Sequence, residues 1–168
     1  MSFSLIPKLI LPGLTDLTPE LLAARGIRFL MLDFDNTIVP YTTNEPAEAM
    51  AAWLRRMQAS DIGLCVVSNS RKPRVVEFCE KYGLDCITHA KKPFSRGIRE
   101  CLARFSLAPA DCALAGDQIY TDVLGANCAG MTSILVSAIH NHTIWLKLRH
   151  IAELPFIAIG RKMQHEKH

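Results

Sequence analysis

Two aspartates, Asp33 and Asp35, lie two positions apart in the segment DFDNT at residues 33–37, directly after an apolar run. Residues two apart in an extended chain point to the same side, so we expect the two carboxylates to face one pocket. Such a pair can divide the work of hydrolysis. One carboxylate attacks phosphorus, while the other, when protonated, gives a proton to the leaving oxygen and then activates water. Two crowded carboxylates also suit a hard cation, because uncompensated repulsion would raise one pKa and neutralise that group.

A second polar group, Ser68 and Asn69, follows the apolar run at residues 62–67. A hydroxyl followed by backbone amides is suited to hold a phosphate oxygen, so both residues are candidates for substrate binding. A third group is KKP at residues 91–93, where an ammonium could offset negative charge on a phosphoryl group and on a nucleophile beside it. Both groups favour an anionic, phosphorylated substrate.

The fourth group is GDQIYTD at residues 116–122, which adds the carboxylates of Asp117 and Asp122. A small octahedral cation such as Mg²⁺ is bound by a few carboxylates together with substrate phosphate and waters. The sequence therefore predicts a divalent cation among these acidic residues.

Each of these residues also has a plainer interpretation. An isolated DxD segment is more often a turn or a helix cap than a catalytic pair. Lys91 is more often a solvated charge, and Asp122 could merely cap its helix. The catalytic interpretation is favoured because four polar groups occur along one chain and each is placed after a predicted strand.

These groups are positioned by short apolar runs that alternate with longer amphipathic ones from Ile27 onward, a pattern typical of βαβ units and a parallel sheet. Continuous apolar runs indicate strands that are covered on both faces. We predict strands at residues 27–32, 62–67, 85–88, 112–115 and 132–136. We predict helices at residues 47–59, 74–82, 95–105 and 122–129. In such α/β folds, ligands bind beyond the carboxyl ends of the strands.

The composition is that of a folded domain, with 168 residues of which 49% are hydrophobic and 21% charged. A chain of this length can bury a sizeable core. We predict one domain over residues 1–168, with a core at about 26–140, an appended apolar N-terminal segment and an appended basic amphipathic C-terminal tail. The formal charge of +3, without clustering of Lys and Arg, argues against nucleic-acid binding.

Cysteines and histidines offer little support for a second kind of metal site. The six cysteines are scattered without paired ligand spacing and fit a reducing cytoplasm, where Cys behaves as a small apolar residue. His140 and His142 lack Cys or carboxylate partners at ligand spacing, so a surface or core role is favoured over a metal pair.

The order of DFDNT, VVSNS, KKP and GDQIYTD resembles the four motifs of the haloacid dehalogenase superfamily of aspartyl-phosphate phosphatases. The resemblance covers residues 28–136 and implies a three-layer, Rossmann-like α/β fold around a central parallel sheet. It implies that Asp33 is the nucleophile and that Asp35 is the general acid and base. It also implies that Ser68 and Lys92 bind the phosphate.

The same resemblance implies a Mg²⁺ site. Asp117 would join Asp33 and the backbone carbonyl of Asp35 as metal ligands. Asp122 would orient this cluster.

The N-terminal region narrows the resemblance. The segments IP at residues 6–7, Pro12, LTP at residues 17–19 and GI at residues 26–27 are similar to those of the YqeG branch. That branch resembles mitochondrial and plastid phosphatidylglycerophosphate phosphatases. The resemblance therefore implies this lipid phosphate as a candidate substrate.

The spacing of the motifs leaves no room for a large cap domain. Only one helix's worth of chain, residues 45–60, separates the first two motifs, and little more separates the second from the third. An active site without its own cap tolerates a bulky or surface-bound substrate, although a partner subunit could act as a lid. This favours a lipid, macromolecular or otherwise extended phosphate ester, with a soluble phosphometabolite as the alternative.

The predicted location is the cytoplasm, with peripheral contact at a membrane surface left open. No apolar run approaches the roughly 20 residues that span a bilayer, and the apolar segment at residues 1–14 is interrupted by Pro and Lys and has no signal-peptide features. The helical pattern at residues 143–154 is most often a face docked on the core. Together with residues 156–162 and the N-terminal segment, it could instead form a basic membrane-binding surface.

Two other classes of protein share parts of this pattern. A signalling receiver also has an acidic pocket, a hydroxyl residue and a lysine on an α/β fold, but its acidic residues and phosphoacceptor follow a different order. A non-catalytic binding module could keep the fold alone. The presence of every motif residue favours the enzyme over both.

Overall fold

The computed structural model describes residues 3–94, 96–139 and 144–165 of the chain. Its centre is one sheet of parallel strands. The six strands are β1 (Leu9–Leu11), β2 (Phe29–Leu32), β3 (Gly63–Val67), β4 (Asp85–Ile87), β5 (Cys112–Gly116) and β6 (Thr132–Val136). They lie in the order β1-β6-β5-β2-β3-β4, so the predicted parallel sheet is confirmed.

Strand β2 lies inside the sheet, and all four of its residues are buried. Because successive side chains of a strand point to opposite faces, Leu30 and Leu32 enter one apolar cluster, while Phe29 and Met31 enter another. A strand covered on both faces needs an unbroken apolar run rather than an alternating one. This is the physical reason why the run before Asp33 predicts a central strand.

Helices cover both faces of the sheet and complete three layers. One face carries α1 (Pro19–Ala23), α2 (Glu48–Gln58) and α3 (Pro73–Tyr82). The other face carries α4 (Arg96–Arg104), α5 (Leu124–Ala129) and α6 (Ile144–His165). Short 3₁₀ turns lie at Leu14–Asp16 and Pro109–Asp111, and a π-helical turn lies at Ile119–Val123.

The sequence marks both ends of α3. Pro73 occupies its first turn, where the missing N–H costs nothing, and Gly83 ends it in the left-handed region at φ 63°. Between β2 and β3 the chain forms α2 and an isolated bridge between Asp35 and Val39, and between β3 and β4 it forms α3. Neither of these fully described connections contains a large cap domain, as predicted.

The two ends of the described chain pack on the sheet instead of lying outside the core. The N-terminal segment supplies the edge strand β1, which pairs with β6. On α6, Ile157 packs against the buried cluster that contains Leu135, and Ile10 of β1 packs against the same cluster. Gly160 permits this close approach, because a Cβ there would lie 3.1 Å from Ile10 Cδ1 and from Pro7 Cγ. Strand β1 and the Ile157 side of α6, both in segments predicted to be appended, therefore take part in the packing around the sheet.

Within the described residues, no helix combines the length and hydropathy needed to cross a bilayer. The helix predicted from residue 143 corresponds to α6, which is described from Ile144 to His165. The candidates His140 and His142 lie outside the described residues, as does Ser95, the predicted first residue of α4.

Candidate active site

The site lies at the carboxyl ends of β2 and β5. From β2 the chain continues to β3 and β4 on one side and then returns to β5 on the other, which makes this the topological switch point. Asp33 directly follows β2, and Asp117 directly follows β5. The Asp33 amide donates to the carbonyl oxygen of Ala115 at 2.9 Å, so the two loops start side by side.

Lys92 connects two of the predicted acidic residues. Its Nζ lies 2.7 Å from Asp33 Oδ1 and 2.7 Å from Asp122 Oδ1. The Lys92 side chain is 1% exposed, whereas the neighbouring Lys91 is exposed, as its plainer interpretation predicted. The Thr37 hydroxyl donates to Asp33 Oδ2 at 3.2 Å. Both carboxylate oxygens of the predicted nucleophile are thus held by donors.

Burial and charge oppose each other in this cluster. Burial alone lowers the pKa of Lys92, but the carboxylates of Asp122 and Asp33 outweigh it and raise that pKa above its ordinary value. Burial raises the pKa of Asp122 to about 6, against the lowering effect of Lys92. The ion pairs with Asp122 and Asp33 therefore keep the lysine charged at neutral pH.

Three aspartates form an acidic cluster that fits a divalent cation. Asp33, Asp117 and Asp122 are buried and bring carboxylate oxygens within 4.8 Å of one another. Three carboxylates beside one ammonium leave an excess of two negative charges. Buried charges of one sign need compensation, and carboxylate oxygens are the donors that Mg²⁺ prefers. The donor set and its charge therefore suit a small dication.

Asp122 reaches this cluster because the end of β5 has no side chain. A Cβ on Gly116 would collide with the Asp122 carboxyl group, so only glycine leaves room for it. Asp122 lies in the π-helical turn, and its Oδ2 accepts from the Gln118 amide at 3.2 Å. The plainer interpretation, that Asp122 merely caps the helix predicted at residues 122–129, is wrong, because that helix begins at Leu124 and Asp122 accepts from Gln118 and Lys92 instead.

The loop after β3 positions the loop that carries Lys92. Ser68 is buried, its hydroxyl accepts from the Ser70 amide at 3.1 Å, and its carbonyl accepts from the Ala90 amide at 3.0 Å. The Asn69 side chain accepts from the Lys92 amide at 2.7 Å and donates to the Lys92 carbonyl at 2.9 Å. Asn69 was predicted to bind substrate, and the structure shows its side chain holding the lysine backbone.

These residues can be compared with known proteins. A relative from Bacillus subtilis (strain 168), named Probable phosphatase YqeG, is 32% identical over 131 residues, which cover 78% of this chain and 76% of the relative. The chain belongs to the YqeG family of haloacid dehalogenase-type phosphatases. A family model described as HAD-hydrolase-like also matches residues 89–144, a stretch that contains Lys92, Asp117 and Asp122. The resemblance drawn from the four motifs is confirmed, and the protein is a phosphatase.

Solved structures share the fold of this phosphatase at low sequence identity. A hypothetical protein from Xanthomonas campestris aligns with a TM-score of 0.55 and 17% identity over 89% of this chain and 80% of that one. The cobalt-bound deoxy-D-mannose-octulosonate 8-phosphate phosphatase YrbI from Haemophilus influenzae aligns with a TM-score of 0.55 and 14% identity, covering 74% of this chain and 75% of that one. At these identities the likeness establishes the fold alone. Haloacid dehalogenase phosphatases generally use a divalent metal, which agrees with the acidic cluster.

In this phosphatase the second aspartate of DFDNT has a partner that sequence analysis missed. Asp35 Oδ1 lies 3.6 Å from Arg74 Nη1. The Arg74 guanidinium also donates to the carbonyl oxygens of Pro40 and Tyr41, at 2.9 and 3.0 Å. Burial raises the pKa of Asp35; Arg74 lowers it and Asp33 raises it further. A raised pKa favours the protonated carboxyl that a general acid needs.

The side chain of Asp35 stands apart from the acidic cluster found among the described residues. If Asp35 contributes to a metal site, its backbone carbonyl is the group left to do so, as the family resemblance implied. Arg74 escaped prediction because an arginine in the first turn of a helix ordinarily points to solvent. The nearby loop that it binds is distant in sequence, so no local pattern marks the contact.

Glu153 is a second residue that sequence analysis missed. It is buried on α6, and its Oε1 accepts from the Ile119 amide at 3.1 Å. Ile119 begins the turn that carries Asp122 and lies two residues after Asp117. The sequence holds only a weak signal, a carboxylate within an otherwise apolar stretch of the C-terminal helix. The helix predicted to be a tail thus contacts the loop that carries Asp117 and Asp122 directly.

Proposed function

We propose that this phosphatase is Mg²⁺-dependent and hydrolyses a phosphate monoester through a phosphoaspartate at Asp33. The observation that supports this most directly is the buried Lys92 ammonium, 2.7 Å from both Asp33 and Asp122, beside a third carboxylate at the switch point. A charged, water-poor cluster of this kind is costly to bury. This cost is explained if the cluster contains the nucleophile of the reaction and binds a divalent cation.

In the first step an Asp33 carboxylate oxygen attacks phosphorus, an O–P bond forms, and the ester O–P bond breaks. Asp35 gives its proton to the departing alkoxide. In the second step Asp35 takes a proton from water, the water oxygen attacks phosphorus, and the Asp33–phosphate bond breaks to release inorganic phosphate. The raised pKa of Asp35 supports this acid and base role.

Lys92 and Ser68 contribute by binding the phosphoryl oxygens, with the backbone of Asn69 beside them. Lys92 can offset the negative charge of the phosphoryl group without first changing its position. Asp122 already holds its ammonium group, and the Asn69 side chain holds its backbone. Asp33 and Asp117, with the backbone carbonyl of Asp35, would hold Mg²⁺, and Asp122 would orient this set. When bound, the cation supplies electrostatic stabilisation of the phosphoryl oxygens.

Substitution of the nucleophile tests this mechanism. Asp33→Asn keeps the side-chain shape but removes the attacking carboxylate, so Mg²⁺-dependent phosphate release should fall by about 10³-fold or more. Asp61→Asn is the matched control. Asp61 is exposed and precedes β3, so it lies at the amino-terminal ends of the strands, away from the site. Retained turnover in Asp33→Asn would eliminate the proposed nucleophile.

Trapping the intermediate separates the two aspartates. The enzyme is mixed with an ester that is radiolabelled in its phosphoryl group, and the reaction is stopped with acid. The wild-type chain should then carry label that hydroxylamine removes. Asp33→Asn should carry none. Asp35→Asn removes the proton donor of the first step and the base of the second, so label should appear more slowly than on the wild-type chain and then be retained for longer. Label on Asp33→Asn would contradict the assignment.

We further propose that the substrate is the phosphate ester of a bulky alcohol, with phosphatidylglycerophosphate as the specific candidate. The support is the absence of a large cap domain over the described connections that follow β2 and β3, together with the family resemblance to phosphatases of that lipid. Peripheral contact with a membrane surface is part of this proposal, because such a substrate resides in a bilayer.

A soluble phosphometabolite is the alternative substrate, and the solved YrbI structure named above is of a phosphatase for such a compound. Initial rates on phosphatidylglycerophosphate micelles and on a panel of soluble sugar and glycerol phosphates separate the two. We expect the highest kcat/KM on the lipid. Indifference to the lipid, with fast turnover of a soluble ester, would replace the lipid proposal and leave the mechanism intact.

A further inference from the structure

A trough of about 630 Å³ lies next to the acidic cluster. One side of it is formed by the ends of β1 and β6 and the residues that follow them, including Pro12 and Val136. The other side is formed by α6, including Leu154 and Ile157. Its size falls within the roughly 300–1,000 Å³ of pockets that bind small organic ligands, and it far exceeds what a phosphate ion needs.

Asp117 belongs both to the acidic cluster and to the lining of this trough. The trough is therefore continuous with the proposed phosphoryl site. A phosphate monoester held with its phosphorus at Asp33 must place its alcohol portion in a space adjoining the cluster. The trough supplies such a space, on the β1 and β6 side of the sheet.

The lining selects the chemistry of that alcohol. Most of its side chains are apolar, and Leu154 is 47% exposed within the described structure although it is a large apolar residue. Two polar groups of the lining are already engaged, because Glu153 accepts from the Ile119 amide and Gln164 accepts from the Ile10 amide at 3.0 Å. Apolar side chains therefore supply most of the lining, and polar groups lie among them.

Arg161 is the cation of this lining. Its side chain is exposed, and it forms no ion pair with any acidic residue in the described part of the chain. A guanidinium recognises phosphate or carboxylate oxygens through paired N–H donors. An unpaired arginine at an apolar trough is suited to an anion carried by an otherwise apolar ligand.

We propose that the trough binds the alcohol portion of the substrate, that this alcohol is an apolar chain carrying a second anionic group, and that Arg161 recognises that group. The inference rests on the proposed phosphatase mechanism and adds a specificity-determining residue to it. Arg161 lies far from DFDNT in sequence, and only the packing of α6 brings it to this side of the site.

Three phosphate esters test the proposal. Glycerol 3-phosphate has neither feature, dodecyl phosphate has the chain alone, and phosphatidylglycerophosphate in neutral detergent has both the chain and a second anion. For the wild-type chain we expect kcat/KM to rise in that order. Equal values for glycerol 3-phosphate and dodecyl phosphate would overturn the apolar part of the proposal.

Arg161→Gln should lower kcat/KM on phosphatidylglycerophosphate about tenfold more than on dodecyl phosphate, because only the former has an anion for the guanidinium. Lys162→Gln is the matched control, since it removes one exposed positive charge from the adjacent position of α6, outside the trough lining. Equal losses in the two variants would overturn the role of Arg161, because they would reflect the general charge of the helix.

Leu154→Gln tests the apolar surface at a position exposed enough to tolerate a polar side chain. It should lower kcat/KM on both long-chain esters relative to glycerol 3-phosphate. If no ester is hydrolysed, the mechanism above fails, and calorimetry with dodecylphosphonate still tests the trough. If dodecylphosphonate binds the wild-type chain and Leu154→Gln weakens that binding, the result supports an apolar binding surface in the trough. If it does not bind the wild-type chain, that part of the proposal is overturned.

Discussion

The two sides of the site are built in different ways. On the β2 and β5 side, charged groups are buried against one another, with Lys92 between Asp33 and Asp122. On the β1 and β6 side, apolar side chains and an exposed arginine line an open trough. The first side has little freedom to change, because each charge depends on its partner. The second tolerates substitution at its exposed positions, such as Leu154 and Arg161, because these side chains line the open trough.

This difference indicates where chemistry and specificity are encoded. The charged side uses polar residues of the loops that follow strands, and we infer that it defines what is done to a phosphate ester. The apolar side uses the N-terminal strand and the C-terminal helix, and we infer that it defines which ester is bound. Glu153 joins the two, because it lies on α6 and accepts from the amide of Ile119 in the loop that carries Asp117 and Asp122.

Of the variants that compare the two sides of the site, the largest effect is expected from Lys92→Met, which leaves two buried carboxylates without their cation. We expect the free energy of unfolding, measured by urea denaturation without divalent metal, to fall by about 3–5 kcal/mol. Phosphate release should fall by about 100- to 1,000-fold, as for the loss of one preorganised group that stabilises transition-state charge. Lys91→Met, at the exposed neighbouring position, should change neither quantity. If the two variants behave alike, the buried ion pairs of Lys92 are not what makes the charged side sensitive to substitution.

An intermediate effect is expected at the residue that joins the two sides. Glu153→Met removes the acceptor of the Ile119 amide and leaves a buried donor unsatisfied, at a cost of about 1–3 kcal/mol. We expect kcat to fall about tenfold as the Asp117 and Asp122 loop loosens. Glu153→Gln retains a side-chain oxygen and should restore most of kcat. If the Gln variant is as impaired as the Met variant, the hydrogen bond is not the reason for the effect.

The smallest effect on chemistry is expected at the contact between α6 and β1. Gly160→Leu would crowd Ile10 and Pro7 and should destabilise the docking of α6 by about 1–3 kcal/mol. Hydrogen exchange should accelerate at the α6 amides, and discrimination between long-chain and short esters should weaken more than turnover of p-nitrophenyl phosphate. Met163→Leu, at an exposed position of the same helix, is the control. Loss of turnover on every ester alike would remove the distinction between the two sides.

Much of the central fold could be predicted because its signals are local. All five strands predicted between residues 27 and 136 are present, and α2 and α3 begin and end within one residue of their predicted bounds. A short strand and a short helix were among the elements that were not predicted. Strand β1 has only three residues, and α1 only five, so neither spans enough chain to establish a period. Both are stabilised by packing on β6 and on the core rather than by local preference.

The candidate site shows the same division. The alternation of apolar and amphipathic runs predicted that four residues follow strands: Asp33, Ser68, Lys92 and Asp117. Their proximity then followed, because the carboxyl ends of parallel strands lie on the same side of the sheet. The contacts of Arg74 and Glu153 did not follow, because each joins segments that are more than 30 residues apart in sequence. Such contacts depend on how helices pack on the sheet, and the periodicity of apolar residues within one segment does not predict that packing.

The sequence by itself determined the order of the motifs, the α/β class and the family, because residue type and short-range periodicity are properties of neighbouring residues. The tertiary structure decided that the Asp122 carboxylate pairs with Lys92, that Arg74 pairs with Asp35, and that α6 closes one side of the site. These arrangements arise when distant apolar faces are buried together, and their geometry is set by packing rather than by any segment alone.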